Sequence, residues 1–231
     1  MRRVLLVACL AASAQAAWRA GVAKVDITPK EPIWIAGFGN RTHPSEGVRL
    51  EIYAKALAVE DEYRKPAVLV TLDLCDVSGE MVDVIARRSE QQFGLTRERL
   101  AINVSHTHSG PLVAMSEISG WYQLNEQQQE VVRRYTRGLV DRVVEAIGLS
   151  LRNLAPATLE FEQGLAGIAA NRRRVQLRHL PGPVDHDVPV LSVRGTDGNL
   201  RAIVVGYACH ATALNDYQIS GDWPGPGTSE P

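Results

Sequence analysis

Leu100-Ala101-Ile102-Asn103-Val104-Ser105-His106-Thr107-His108-Ser109-Gly110-Pro111 passes from a short apolar segment straight into two histidines. The first five residues read as a short buried strand. Residues two apart on an extended chain point to the same side, so the rings of His106 and His108 can converge on one ion. Neutral imidazole nitrogen is a good zinc ligand. Gly110-Pro111 bends the chain away and leaves the strand end open. The competing reading is a pair of histidines that cap a strand end by hydrogen bonds.

The flanking segments place this stretch in a mixed α/β fold. Ala67 to Leu74 (AVLVTLDL) follows Pro66 as a continuous apolar run, which suits a buried strand. Gly79 to Phe93 carries Met81, Val82, Ile85 and Phe93 between charges and stops at Gly94, as a helix does. On the other side, Asn125 is an N-cap candidate with Glu126 in the first turn. Val131, Val132, Tyr135, Leu139, Val143 and Ile147 then recur at helical spacing. Further strands are predicted over 20–27, 50–59, 158–161, 188–193 and 200–207. Thr196-Asp197-Gly198-Asn199 reads as a hairpin turn between the last two. The order β-β-β-α-β-α-β-β-β predicts a central mixed sheet flanked by helices.

A second histidine follows an apolar strand in Cys209-His210-Ala211-Thr212. If its strand and 100–104 lie in one sheet and point the same way, the three rings meet at one edge, where α/β proteins place their sites. Asp73 is an acid inside an otherwise apolar run. Burying a carboxylate costs free energy unless it is paired, so Asp73 is a candidate to orient a metal-bound histidine, or an acceptor for loop amides. Asp222, in Ser220-Gly221-Asp222-Trp223-Pro224-Gly225, is an acid that orients a metal-bound histidine or faces the substrate, or else a turn residue. Arg172 heads a basic loop over 171–183, and its forked donors suit a carbonyl or hydroxyl oxygen. Arg173 and Arg174 read as solvated charge.

Composition narrows the class. The chain has 231 residues, 45% hydrophobic and 22% charged, with a formal net charge of -1. Nucleic-acid binding is excluded as an expectation, because it needs a clustered basic excess. Met1-Arg2-Arg3, the apolar run 4–12 and Ala14-Gln15-Ala16 read as a signal peptide over residues 1–16, which predicts a secreted or periplasmic protein. A lipoprotein signal modified at Cys9 is the rival. No segment is predicted to span the membrane. Cys75 and Cys209 are either bridged, as an exported protein allows, or two buried thiols.

The stretch Thr107-His108-Ser109-Gly110-Pro111 with His106 before it resembles the THTHSGP signature of neutral/alkaline, non-lysosomal ceramidases. Gly21 to Pro29 is similar to that family's G-x-A-x-x-D-I-T-P opening, and Ala36-Gly37-Phe38-Gly39 to its Gly-rich loop. Asn171-Arg172, His210 and 220–225 match later landmarks in the same order, although Arg173-Arg174 stand where the family has Ser-Pro. The resemblance implies hydrolysis of the amide bond of ceramide-like lipids at a single zinc ion. It implies His106 and His210 as zinc ligands, His108 beside the metal and Arg172 on the substrate. The partner is then a small-molecule or lipid amide, with peripheral membrane contact to reach it. The family's serine nucleophile and its remaining Glu and Tyr ligands have no counterpart before Pro231. Residues 17–231 are therefore expected to be a truncated N-terminal catalytic domain that binds zinc weakly and is inactive alone. A zinc hydrolase of the same fold with a non-lipid substrate, and a non-catalytic binding module, remain the alternatives.

Overall fold

A computed structural model describes residues 18–114, 116–174 and 182–225. The signal-peptide reading, most of the basic loop after Arg174 and the tail beyond Gly225 lie outside these residues. Seven strands form one mixed sheet in the order β5-β4-β3-β1-β6-β7-β8. They are β1 (Trp18–Asp26), β3 (Tyr53–Glu60), β4 (Ala67–Leu72), β5 (Leu100–Val104), β6 (Ala155–Leu165), β7 (Asp187–Gly195) and β8 (Leu200–Val205). Two short strands, β2 (Gly47–Val48) and β9 (Gln218–Ile219), pair in parallel to make a second, small sheet. Two long helices, α1 (Gly79–Phe93) and α2 (Glu126–Arg152), complete the fold.

Both helices pack on one face of the sheet. Ala54, Ala56 and Ala58 on β3 and Val68, Val70 and Leu72 on β4 point into the same core as Met81, Ile85, Leu139, Val143 and Ile147 from the helices. Alanine at alternate positions of β3 lets α2 lie close to the strand. Intervening residues, such as Leu57 on β3, face the other way and join Ala20, Ala157 and Val193 in a smaller cluster. The predicted caps are present. Asn125 accepts from the Gln128 amide while the Gln128 side chain accepts from the Asn125 amide, a reciprocal pair that satisfies two otherwise orphaned donors. Gly94 closes α1 in the left-handed region.

Several strand boundaries differ from the sequence reading. β4 ends at Leu72, so Asp73, Leu74 and Cys75 lie just past the strand. β6 runs eleven residues, well past Phe161, because nine pairs with β7 carry it through the polar Glu162-Gln163-Gly164. β8 stops at Val205 and does not continue to Tyr207. Among the described residues, Cys75 and Cys209 are free, Cys75 buried and Cys209 half-buried. Among the described residues, no helix is long and apolar enough to cross a membrane.

Two changes test this packing. Gly21 on β1 faces the end of α2, and a Cβ there would come within 2.1 Å of the Ser150 carbonyl oxygen and 2.7 Å of the Asn153 carbonyl carbon. Both neighbours are backbone, so the helix itself must move. Gly21→Ala should cost about 3 kcal/mol, read as a fall in denaturant midpoint; an unchanged midpoint would mean that the helix is not seated there.

Glu60 is buried at the end of β3 and accepts from Arg19 at 2.6 Å and Arg64 at 3.0 Å. Burial pushes its carboxyl up, but the two arginine hydrogen bonds outweigh burial and hold it below the ordinary 4.5. A depressed folded value stabilises above the unfolded value, and that contribution is lost as pH falls through the folded one. Glu60→Gln should therefore cost about 1 kcal/mol at neutral pH. The gap to wild type should close below pH 4.5 in pH-dependent urea melts.

Candidate histidine site

β4 and β5 are parallel neighbours, with Leu72 opposite Val104. Their ends therefore release Asp73-Leu74-Cys75 and Ser105-His106-Thr107-His108 side by side. The Ser105 amide bonds to the Leu72 carbonyl at 3.0 Å. His106 then takes a backbone φ of +57°, a left-handed conformation uncommon outside glycine and often found at functional positions. This aims its ring back at β4, where Nδ1 lies 2.6 Å from the Cys75 carbonyl oxygen. A carbonyl only accepts, so Nδ1 carries the proton and Nε2 keeps its lone pair.

His210 arrives by a route different from the expected one. β5 and β8 are opposite edges of the sheet. One parallel and five antiparallel pairings between them make them run in opposite senses. Strand adjacency therefore does not bring the histidines together. The chain after β8 folds back, and β9 pins it to β2. Main-chain bonds then join it to the histidine loop: His108 N–H to Ala211 O at 3.1 Å and Ser220 N–H to Ser109 O at 3.0 Å. The Thr107 hydroxyl donates to Ser220 O at 3.2 Å.

The outcome is a compact group of three imidazoles. The His106 and His210 rings stack at 4.9 Å. His108 stands edge-on to both, at 5.1 Å from His106 and 4.6 Å from His210. Nε2 of His108 and Nε2 of His210 are 3.0 Å apart. His108 is buried, whereas His106 and His210 are exposed, so the group opens to solvent on one side. Burial, then the neighbouring His210 and His106, push His108 down to about 4. Burial, His106 and Arg172 also lower His210. Both rings are thus neutral at pH 7, as metal coordination requires. Nδ1 of His108 has no hydrogen-bond partner among the described residues.

The remaining sequence candidates surround the three rings without joining them. Asp73 does not orient a histidine. Both its oxygens lie within 2.9 Å of Lys55 Nζ, and Oδ2 accepts the Tyr53 amide at 3.0 Å. The buried carboxylate is paired across β3 instead. Asp222 serves its own loop, though its charge reaches His108 and His210 and favours their protonated forms. It is 2% exposed; Oδ1 accepts from the Ala213 and Trp223 amides and Oδ2 from that of Leu214. It clamps the loop that carries His210. Arg172 is exposed, near enough to His210 for its charge to work against a protonated ring.

Sequence reasoning missed Cys75 and the Gly37-Phe38 wall. A Cβ on Gly37, at φ +98°, would stand 2.3 Å from the His108 ring, and Phe38 packs edge-on to that ring at 4.7 Å. Ligand atoms of Cys75, His106 and His108 lie within 4.8 Å of one another, a set that could hold a metal ion. Burial and Asp76 push the Cys75 thiol up to about 12. Its sulfur is 3.8 Å from His106 Nδ1, the nitrogen already committed to a carbonyl. The Nε2 atoms of His108 and His210 are within hydrogen-bond reach of each other, which puts His108 beside any ion held on His210.

Comparisons with known proteins place the chain in a family. The chain is 24% identical over 91% of its length to neutral ceramidase B of Dictyostelium discoideum, and it spans 31% of that protein. Over 92% of its length it is 24% identical to neutral ceramidase of Drosophila melanogaster, again spanning 31%. In structure it matches neutral ceramidase from Pseudomonas aeruginosa with a TM-score of 0.74 at 22% identity, over 89% of this chain and 34% of that one. That likeness is one of fold. The chain thus spans about a third of the length of these relatives. Residues 18–228 match the family described as neutral/alkaline non-lysosomal ceramidase, N-terminal, and the chain belongs to that family.

Proposed function

We propose that this chain forms part of an exported, zinc-dependent amidase that cleaves the amide bond of ceramide-like lipids. The observation that carries the reading is the His106–His108–His210 group, with Nδ1 of His106 committed to the Cys75 carbonyl. A carbonyl acceptor behind a histidine fixes the tautomer and raises the basicity of the outward nitrogen, as in many metal sites. His106 and His210 hold the zinc ion through their outward nitrogens. Bound zinc supplies Lewis acidity toward the amide carbonyl.

The other residues bind and orient. His108, neutral and buried against Phe38, offers a hydrogen bond to the reacting groups beside the ion. Arg172, exposed and near enough to His210 for its charge to act on that ring, holds a substrate oxygen with its forked donors. Two histidines are fewer than the three protein ligands that catalytic zinc normally keeps, so full affinity draws on residues outside this chain. Peripheral contact with a lipid surface delivers the substrate, and residues 1–16 direct export.

Zinc content and ceramide hydrolysis, measured on protein expressed from the complete gene, test this reading. His106→Ala and His210→Ala should each weaken zinc binding by more than about 100-fold and abolish turnover. Cys75→Ser should keep both. Zinc retained by His210→Ala but lost in Cys75→Ser would assign the ion to the cysteine-containing set and refute the proposed ligands. A protein that holds zinc yet cleaves only water-soluble amides would overturn the lipid substrate.

A further inference from the structure

Arg41 lies in the loop that follows the Gly37-Phe38 wall, and its residue is 7% exposed. No carboxylate hydrogen-bonds to it among the described residues. The nearby Asp216 carboxylate pairs with Arg49 instead. The Arg41 guanidinium is met by three backbone carbonyls from two distant segments. Nη2 donates to His108 O at 3.2 Å, and Nη1 donates to Asn215 O at 3.1 Å and to Asp216 O at 2.5 Å. Two ring faces enclose it, Tyr217 at 4.6 Å and Phe38 at 5.3 Å.

We propose that Arg41 is a positioning residue for the histidine site: its fork ties the His108 backbone to the return segment and so sets how His108 meets His210. The physical reason is specific to arginine. Three carbonyls on two segments need a planar fork with several fixed donors, and a lysine ammonium acts as a point charge on a flexible stem. A buried guanidinium is also costly to desolvate, and three carbonyl dipoles and two aromatic faces offset that cost. Phe38 touches both the Arg41 guanidinium and the His108 ring, so displacement of one reaches the other directly. The other ties between the two segments, His108 N–H to Ala211 O, Ser220 N–H to Ser109 O and the Thr107 hydroxyl to Ser220 O, do not involve Arg41. Its loss therefore loosens ring placement and leaves the fold intact.

The inference rests on the proposed metal site for one of its two readouts. Crystal structures and cobalt(II) titrations of the full chain test it, with Arg41→Met, Arg41→Lys and the control Arg49→Met. Both Arg41 variants should lengthen the 3.0 Å spacing between the His108 and His210 Nε2 atoms while the sheet and helices superimpose. Cobalt affinity should fall about tenfold, with a shifted d–d absorption band. Arg49→Met should match wild type in both respects. An unchanged spacing in the Arg41 variants would overturn the proposal. So would loss of folding in both while Arg49→Met folds, because Arg41 would then be a determinant of the fold. If wild type takes up no cobalt, the metal reading fails, and the ring spacing still decides the role of Arg41.

Discussion

Few bonds separate this site from two unrelated loops. The His108 amide donates to Ala211 O, and the Ser220 amide donates to Ser109 O. These contacts seat a segment from one edge of a seven-stranded sheet against the strand end at the other. Asp222 supports the same junction from behind. Its carboxylate satisfies three backbone donors of the returning loop, a charge-assisted arrangement stronger than neutral bonds. Without that docking the chain would still hold a sheet and two helices, but His210 would not stand beside the other two rings.

Strain gathers at the same place. Three non-glycine residues among those described have positive φ, and two of them are His106 and Asp222. Each such conformation costs on the order of 1–3 kcal/mol and persists only where surrounding contacts over-determine it. The contacts here are the Cys75 carbonyl for His106 and three amides for Asp222. Local free energy is thus committed to aiming one ring and folding one loop, at the expense of stability that a relaxed backbone would have kept.

The elements with strong periodicity were legible in the sequence: both helices with their caps, and the buried strands over 67–72 and 100–104. So was the gathering of His106, His108 and His210, since His-x-His after a strand carries its own geometry. The path that delivers His210 was not. Apolar runs encode burial and strand length but not strand order or direction, and the two histidine-bearing strands share one sheet but run in opposite senses at its opposite edges. Asp73 and Asp222 were recognised as buried acids, yet partner identity depends on register across strands and loops. Lys55 lies eighteen residues from Asp73, a separation that no local pattern reports. Cys75 could have been found, because a strand-helix-strand unit predicts that the ends of β4 and β5 emerge together.

The two side-chain groups that share His106 and His108 are not equivalent as metal sites. A histidine presents two nitrogens on opposite sides of its ring, and one hydrogen bond decides which of them is free. At His106 the Cys75 carbonyl takes Nδ1, and the Cys75 sulfur lies on that same side. For the thiol to join an ion on Nδ1, that hydrogen bond must break and a group whose pKa is near 12 must lose its proton. For His210 to hold an ion with His106, neither is required, because the His210 ring is neutral and its Nε2 already stands by that of His108, the histidine placed beside the metal. Proximity alone favours the cysteine set, whereas tautomer and protonation favour the histidines. Protonation is the costlier condition, since displacing a proton from so weak an acid subtracts directly from metal affinity.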